Sequence, residues 1–146
     1  MGNLKLTSSA FEDGGEIPRE CGYKNGNEKP PLTINGIPEG TKSLALIMDD
    51  PDAMEPAGKV WVHWVVWNID PTTTELENVE EGMTDFGEEG YGGPAPPDKR
   101  HTYVFKLYAL DSNLEAFPYN KTKGDLIEVM EGRIIEQTQL TGTYAP

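Results

Sequence analysis

Cysteine is almost absent from this chain: Cys21 stands alone among 146 residues. A single cysteine cannot form an intramolecular disulfide, and it makes a cysteine-based zinc site implausible. The sequence also lacks a Gly-x-Ser-x-Gly motif, and Cys21 lies apart from the polar cluster described below. No nucleophile typical of a hydrolase is therefore indicated.

Basic residues and long apolar runs are also scarce. Lys and Arg number 12 against 25 Asp and Glu, so the formal net charge is −13 and the pI is about 4.4. An acidic chain of this kind repels nucleic acid and anionic bilayers, and we predict no nucleic-acid partner and no stable membrane anchoring. The first residues lack the apolar segment of a signal peptide, and no window is long enough to span a bilayer. The cytoplasm is the predicted location.

Short apolar segments separated by Gly, Pro and Asn dominate what remains, and they predict a mainly β protein. With 36% hydrophobic residues, we expect one core and one domain, 1–146. Residues 70–99 are rich in Gly and Pro and are predicted to form a long, functional loop without regular elements. Periodicity predicts short strands and turns before residue 40, strands at 43–48, 60–69 and 100–110, a helix at 121–137 and a closing strand at 140–144. These elements favour two packed sheets with one main helix.

The only two histidines of the chain fall in two of these strands. His63 lies among Trp and Val in the strand at 60–69, which is apolar on both faces and is expected to be covered on both sides. His101 lies on the apolar face of a later strand, with Tyr103 on the same face. Asp50 and Asp52 lie in the acidic turn before the first of these strands. The residues therefore form a candidate site.

Several interpretations of this candidate site remain open from the residues alone. Two histidines and two carboxylates match the ligand inventory of zinc and would suit a metal hydrolase, although no HExxH-like spacing is present. His63 could equally be a core histidine with satisfied hydrogen bonds, and Asp50-Pro51-Asp52 could be an ordinary turn. An anion-binding pocket accounts for more of the surroundings.

The anion-pocket interpretation depends on the Gly-Pro run after residue 89. Gly90, Gly92 and Gly93 could expose successive backbone N–H groups as an anion-binding nest, and the prolines that follow would stiffen the loop. Each histidine could donate to a phosphate, which would raise its pKa. The carboxylates would meet a cationic group of the same ligand or hold the histidine tautomers. We therefore expect a small phosphate-bearing or zwitterionic ligand and no resident metal or cofactor.

The chain resembles the phosphatidylethanolamine-binding protein family, which includes the Raf kinase inhibitor proteins, and in particular its short bacterial and archaeal branch. The segments that carry this resemblance are LALIMDDPDA (44–53), VWVHWVVWNI (60–69), TDFGEEGYGGPAPP (84–97), HTYVFKLYALD (101–111) and EGRIIEQTQLTGTY (131–144). The resemblance implies a large central antiparallel sheet packed against a smaller sheet, with a small anion pocket at one edge.

The resemblance also implies which residues bind the ligand. By motif match these are Asp50, Asp52, His63, Gly92, Gly93, Pro94, His101 and Tyr103. The chain departs from the family pattern at three places. Met54 replaces the usual proline of DPDAP, Thr102 replaces the frequent arginine of His-Arg-Tyr, and Ala95 stands where many bacterial relatives have cysteine.

The residues and the resemblance together predict a non-enzymatic binding and regulatory protein. Its pocket would hold phosphate or phosphoethanolamine-like anions, and a protein kinase or protease is the candidate partner that it would inhibit. Two alternatives remain: a hydrolase that uses a metal or a His/Asp pair, and a protein inhibitor that acts through its surface alone and has a vestigial pocket.

Overall fold

A six-stranded sheet forms the centre of the computed structural model, which describes residues 3–76, 79–114 and 121–146. The strands are β1 (Lys5–Thr7), β2 (Gly15–Glu16), β3 (Thr33–Asn35), β4 (Ser43–Asp50), β5 (Trp61–Ile69), β6 (Glu80–Glu81), β7 (His101–Leu110) and β8 (Ile134–Tyr144). The α-helices are α1 (Met54–Ala57) and α2 (Lys123–Met130), and short 3-10 turns lie at Arg19–Cys21 and Pro51–Ala53.

The two sheets have the sizes that the resemblance implies. The large sheet has the strand order β2-β8-β7-β4-β5-β6, and β1 pairs with β3 in a small antiparallel sheet. The large sheet is antiparallel except for the short parallel pair β2–β8. One hydrophobic core joins Leu6 and Ile34 of the small sheet to Leu46 and Trp64 of the large one. The predicted arrangement of a large sheet packed against a smaller sheet is confirmed.

Strand β4 is buried along its whole length because the large sheet is covered on both faces. Leu46 faces the core shared with the small sheet. Ile47 faces a second core, in which Val65 and Trp67 of β5 meet Leu126 of α2. The expectation that both faces of the Trp-rich strand are covered is thus confirmed.

Helix α2 begins as predicted but ends early. The Thr122 side chain accepts a hydrogen bond from the Asp125 N–H and caps the helix. The helix ends at Met130, and Gly132 adopts a left-handed conformation with φ of 79°. From Ile134 the chain pairs with β7. The prediction of a helix to residue 137 is therefore wrong. From Ile134 onward, pairing with β7 prevails over the helical periodicity of the apolar residues.

The loop at 70–99 also contains more structure than predicted. Glu80 and Glu81 form β6, which pairs with β5, and Met83 forms an isolated bridge with Glu89. The prediction that this segment has no regular element is wrong at β6. None of the helices in the described parts of the chain is long and apolar enough to cross a bilayer.

The antiparallel order places three strand ends together. The C-terminal end of β4 pairs with the start of β5 through Asp50 and Trp61, and β4 pairs with β7 on its other side. The ends of the strands that carry Asp50, His63 and His101 therefore lie at one edge of the large sheet.

Candidate functional site

A cavity of about 180 Å³ lies at this edge of the large sheet. Four predicted site residues line it: Asp50, His63, His101 and Tyr103. The remaining wall is apolar and consists of Ala53, Pro56, Ala57, Trp61, Phe86, Ala95, Pro96 and Pro97. Pockets for drug-sized ligands are usually roughly 300–1,000 Å³, so this cavity suits a smaller molecule.

His101 is held between two carboxylates. Its Nδ1 lies 2.6 Å from Asp50 Oδ2, and its Nε2 lies 2.7 Å from Asp98 Oδ1. A carboxylate accepts hydrogen bonds, so both ring nitrogens donate and the ring is an imidazolium. Burial by itself lowers the pKa of His101, but the hydrogen bonds and charges of Asp50 and Asp98 outweigh it and the pKa is raised.

His63 is held in the opposite protonation state. Its Nδ1 donates to the Gly92 carbonyl oxygen at 2.6 Å, which leaves the lone pair on Nε2. Burial lowers the pKa of His63, and the opposing effects of the Gly92 carbonyl and Asp50 are smaller. The cavity thus combines a neutral histidine with a charged one, although the sequence suggested two equivalent donors.

Two residues that line the cavity each carry a buried polar group without a hydrogen bond of good geometry within the described residues: Tyr103 through its hydroxyl and Trp61 through Nε1. Burial raises the pKa of Tyr103, and the nearby Asp50 carboxylate raises it further. The phenol therefore keeps its proton. Buried donors without acceptors cost free energy, and a ligand that accepts from both would recover it.

The glycine loop does not form the predicted nest. Gly90 N–H donates to Gly82 O at 3.0 Å and Gly92 N–H to His63 O at 2.8 Å, while Gly93 N–H donates to Asn27 Oδ1 at 2.7 Å. These donors are already satisfied within the protein. The nest prediction is wrong, because the loop folds back on its neighbours and uses the N–H groups to fix its own path.

The cavity lining does not include Gly92, Gly93 or Pro94. In this loop the lining begins at the next residue, Ala95. The Pro94 carbonyl accepts from the Tyr23 N–H at 2.9 Å. This contact and the hydrogen bond from Gly93 N–H to Asn27 Oδ1 tie the loop to the N-terminal part of the chain. These three residues directly precede Ala95, which is part of the cavity wall.

Asp52 is not on the cavity wall either. Its Oδ2 accepts from the Thr102 N–H at 2.8 Å, and its side chain is exposed. Asp50 Oδ1 accepts in turn from the Asp52 N–H at 2.9 Å. Asp52 therefore ties the acidic turn to the start of β7, and among the residues that the structure describes Asp50 alone brings a carboxylate to the cavity.

The three departures from the family pattern have different surroundings. Met54 is the first residue of α1 and is 54% exposed. Thr102 contributes the backbone N–H that Asp52 accepts from. Ala95 lines the cavity directly, so its small side chain helps to set the volume there.

Sequence reasoning missed four residues around the site. Asp98 contacts His101 three residues away. Residues 98–100 form no helix or strand, so a three-residue spacing there does not predict that the two side chains meet. Trp61 and Phe86 meet at 5.7 Å between ring centroids and form an aromatic wall, which Tyr23 extends by stacking on Phe86 at 4.0 Å. The sequence held one signal for these residues: alternation along β5 places Trp61 on the same face of the strand as His63.

No three His, Cys, Asp or Glu side chains within 3–76, 79–114 and 121–146 are arranged to hold a metal ion. The zinc interpretation required four ligands from separate elements. In the structure, both nitrogens of His101 bond to aspartates and Asp52 is turned toward a backbone N–H.

Residues 7–145 match the family model described as phosphatidylethanolamine-binding protein. A UPF0098 protein of Methanothermobacter thermautotrophicus is 43% identical over an alignment of 152 positions, which covers 97% of this chain and 98% of that protein. Two crystal structures are also similar. The homologue CT736 of Chlamydia trachomatis has a TM-score of 0.90 and 38% identity, with coverage of 97% and 96%. YbcL of E. coli has a TM-score of 0.88 and 32% identity, with coverage of 98% for each chain.

Proposed function

The chain belongs to the phosphatidylethanolamine-binding protein family, and on that premise we propose that its cavity binds a small zwitterionic head group that carries phosphate and an amine. Phosphoethanolamine is the model ligand. The observation that carries the proposal is the meeting of Asp50, His63, His101 and Tyr103 around one small cavity. Such a protein binds without catalysis.

The cavity offers separate partners for the two ends of such a ligand. Phosphate oxygens would accept from the Tyr103 hydroxyl and Trp61 Nε1, the two donors without good acceptors. Protonated Nε2 of His63 would be a third donor. The amine would lie near Asp50, the one carboxylate that lines the cavity within 3–76, 79–114 and 121–146.

No Lys or Arg of the described part of the chain lines this cavity. The anionic end of the ligand would therefore depend on neutral donors and on histidine protonation. We infer a modest affinity for phosphate that changes with pH, in contrast to the tight and pH-independent anion sites that arginine pairs form.

Binding without catalysis also fits the lining, because it contains no Ser, Thr or Cys side chain that could act as a nucleophile. The hydrolase alternative predicts phosphoester turnover or stoichiometric zinc in elemental analysis of the purified protein. Inhibition of a kinase or protease stays a prediction. An assay of candidate targets with cavity variants would separate it from inhibition through the surface alone.

Replacement of Tyr103 by Phe is expected to weaken phosphate binding by about tenfold, the loss of one well-placed hydrogen bond. The free energy of unfolding should stay near the parent value, because the hydroxyl makes no hydrogen bond of good geometry in the folded protein. Calorimetric titration with phosphate and phosphoethanolamine measures the first effect, and urea unfolding the second.

Tyr108→Phe is the matched control, because Tyr108 lies on the same strand but packs against the second core. It should bind phosphate like the parent. Equal phosphate affinities for the parent and Tyr103→Phe would show that the Tyr103 hydroxyl does not contact the ligand.

Phosphate affinity is expected to fall as pH rises. The pKa of ligand-free His63 is lowered, and a bound anion raises it because the anion stabilises the charged ring. Binding therefore takes up a proton, which is easiest at low pH. Titration from about pH 5.5 to about pH 8 should show the decline. Sulfate, which stays fully ionised over this range, is the control; a flat sulfate profile would contradict the role of His63.

A further inference from the structure

Asp98 occupies the second hydrogen-bonding position of His101. Its Oδ1 accepts from Nε2 at 2.7 Å, while Asp50 accepts from Nδ1. The His101 side chain is completely buried, and that of Asp98 is 36% exposed. His101 therefore has no N–H left for a ligand, although it lines the cavity.

The surroundings of this contact keep Asp98 ionised. Desolvation by itself raises the pKa of Asp98, but the hydrogen bonds from His101 and from the backbone of Lys99 outweigh it and the pKa is lowered. The other charged and titratable groups that face His101 are Asp50 and Tyr103. Asp52 approaches only the backbone of the next residue. The imidazolium is thus balanced by two carboxylates, and the group as a whole is negative.

We propose that Asp98 limits the affinity of the cavity for anions by acting as an internal competitor for His101. Its carboxylate takes the place at Nε2 that an anionic oxygen of the ligand would otherwise occupy, so a ligand must displace it to contact His101. This inference rests on the proposed function. It names the group that an anion must displace at the site.

The ability to displace Asp98 follows from charge. A ligand carboxylate that replaces Asp98 exchanges one carboxylate for another and gains little. A phosphate monoester carries about −1.5 to −2 at neutral pH and three acceptor oxygens, so it gains charge interaction and further hydrogen bonds. The cost of displacing Asp98 is the same for both ligands, so Asp98 lowers both affinities, and phosphate meets that cost more readily than a monocarboxylate such as acetate.

Displacement of Asp98 is physically reasonable. Its side chain is partly in water, and His101 is its only side-chain partner among the residues that the structure describes. It lies in the bent segment between Pro97 and β7, outside any regular element. An ionised carboxylate released there would be rehydrated, and Asp50 would still hold the other ring nitrogen.

The test compares phosphate and acetate binding by calorimetry at about pH 6 in the parent, Asp98→Ala and Asp98→Asn. Phosphate should bind roughly fivefold more tightly to Asp98→Ala, because a charge-assisted contact no longer opposes it. Acetate should gain by a similar factor, because both anions are relieved of the same cost of displacing Asp98. Asp98→Asn should gain less than Asp98→Ala, because the amide oxygen still accepts from Nε2.

Glu55→Gln is the charge-matched control. Glu55 is exposed and pairs with Lys99, the residue that follows Asp98 in the chain, and neither of them lines the cavity. Its replacement removes one negative charge near the site, and phosphate affinity should change by less than about twofold. A gain equal to that of Asp98→Ala would show a general field effect and overturn the competitor role.

Ligand-free NMR titration of the two histidines tests the contact itself. Loss of Asp98 should lower the pKa of His101 and leave that of His63 in place; an unchanged His101 would overturn the proposal. If the parent binds phosphate and Asp98→Ala binds it equally or more weakly, Asp98 is no competitor, while the proposed function stands. If neither protein binds phosphate, both proposals fail.

Discussion

Replacement of Asp50 by alanine is expected to lower the free energy of unfolding by about 3 kcal/mol, the cost of removing one partner from a buried ion pair. The carboxylate is almost fully buried and accepts hydrogen bonds from His101 Nδ1 and the Asp52 N–H. Without it, His101 keeps only Asp98 as a charged partner. Urea unfolding monitored by tryptophan fluorescence measures the loss.

The loss should depend on pH in a defined direction. The pKa of folded His101 is raised from its ordinary value of 6.5. A raised histidine pKa stabilises the fold fully below the unfolded-state pKa, and this stabilisation disappears as pH rises through the folded-state pKa. Asp50→Ala should therefore cost most at about pH 6 and less at about pH 9.

Asp50→Asn separates the charge from the hydrogen bonds. The amide oxygen can still accept from the Asp52 N–H at the start of the 3-10 turn, so this variant should lose mainly the pH-dependent part. Equal losses at both pH values in both variants would mean that His101 is neutral in the folded protein. The ion-pair description of the site would then be wrong.

The period of β-strands and the family resemblance together grouped the four cavity residues, whereas the strand order that joins them is seen only in the structure. Alternating side chains place His101 and Tyr103 on one face of β7, and antiparallel neighbours carry that face to the end of β4, where Asp50 lies. His63 follows because β5 pairs with β4 on the other side. Regular elements transmit local patterns over long distances.

The parts that sequence reasoning missed all lie in irregular backbone. The nest hypothesis treated the glycine N–H groups as free, but Gly92 donates to His63 O and Gly93 to Asn27, 66 residues away. No local pattern encodes which distant acceptor a loop will find. Asp98 was missed for the same reason, because only the bend after Pro97 turns its carboxylate to His101.

Replacement of Gly93 by alanine should cost about 3 kcal/mol of stability, at the upper end of the cost of overpacking, because the new methyl group has no room. A Cβ at this position would overlap the Cys21 carbonyl oxygen and lie 2.9 Å from Tyr23 N. Both neighbours are backbone atoms, which cannot rotate away as side chains do. The hydrogen bonds Gly93 N–Asn27 Oδ1 and Tyr23 N–Pro94 O would lengthen or break.

This result would distinguish close backbone packing from anion binding at the glycine loop. If Gly93 served a nest, alanine would weaken phosphate binding and leave unfolding nearly unchanged; that outcome would contradict the packing described here. Gly124→Ala is the control, since the nearest atom to its Cβ is Thr122 Oγ1 at 3.8 Å and it lies within α2. Alanine favours a helix over glycine, so this variant should gain about 0.5–1 kcal/mol. If alanine lowers the free energy of unfolding at Gly93 and raises it at Gly124, the loss at Gly93 comes from its contact with the Cys21–Tyr23 backbone. That contact then supports the loop that leads to the cavity wall at Ala95.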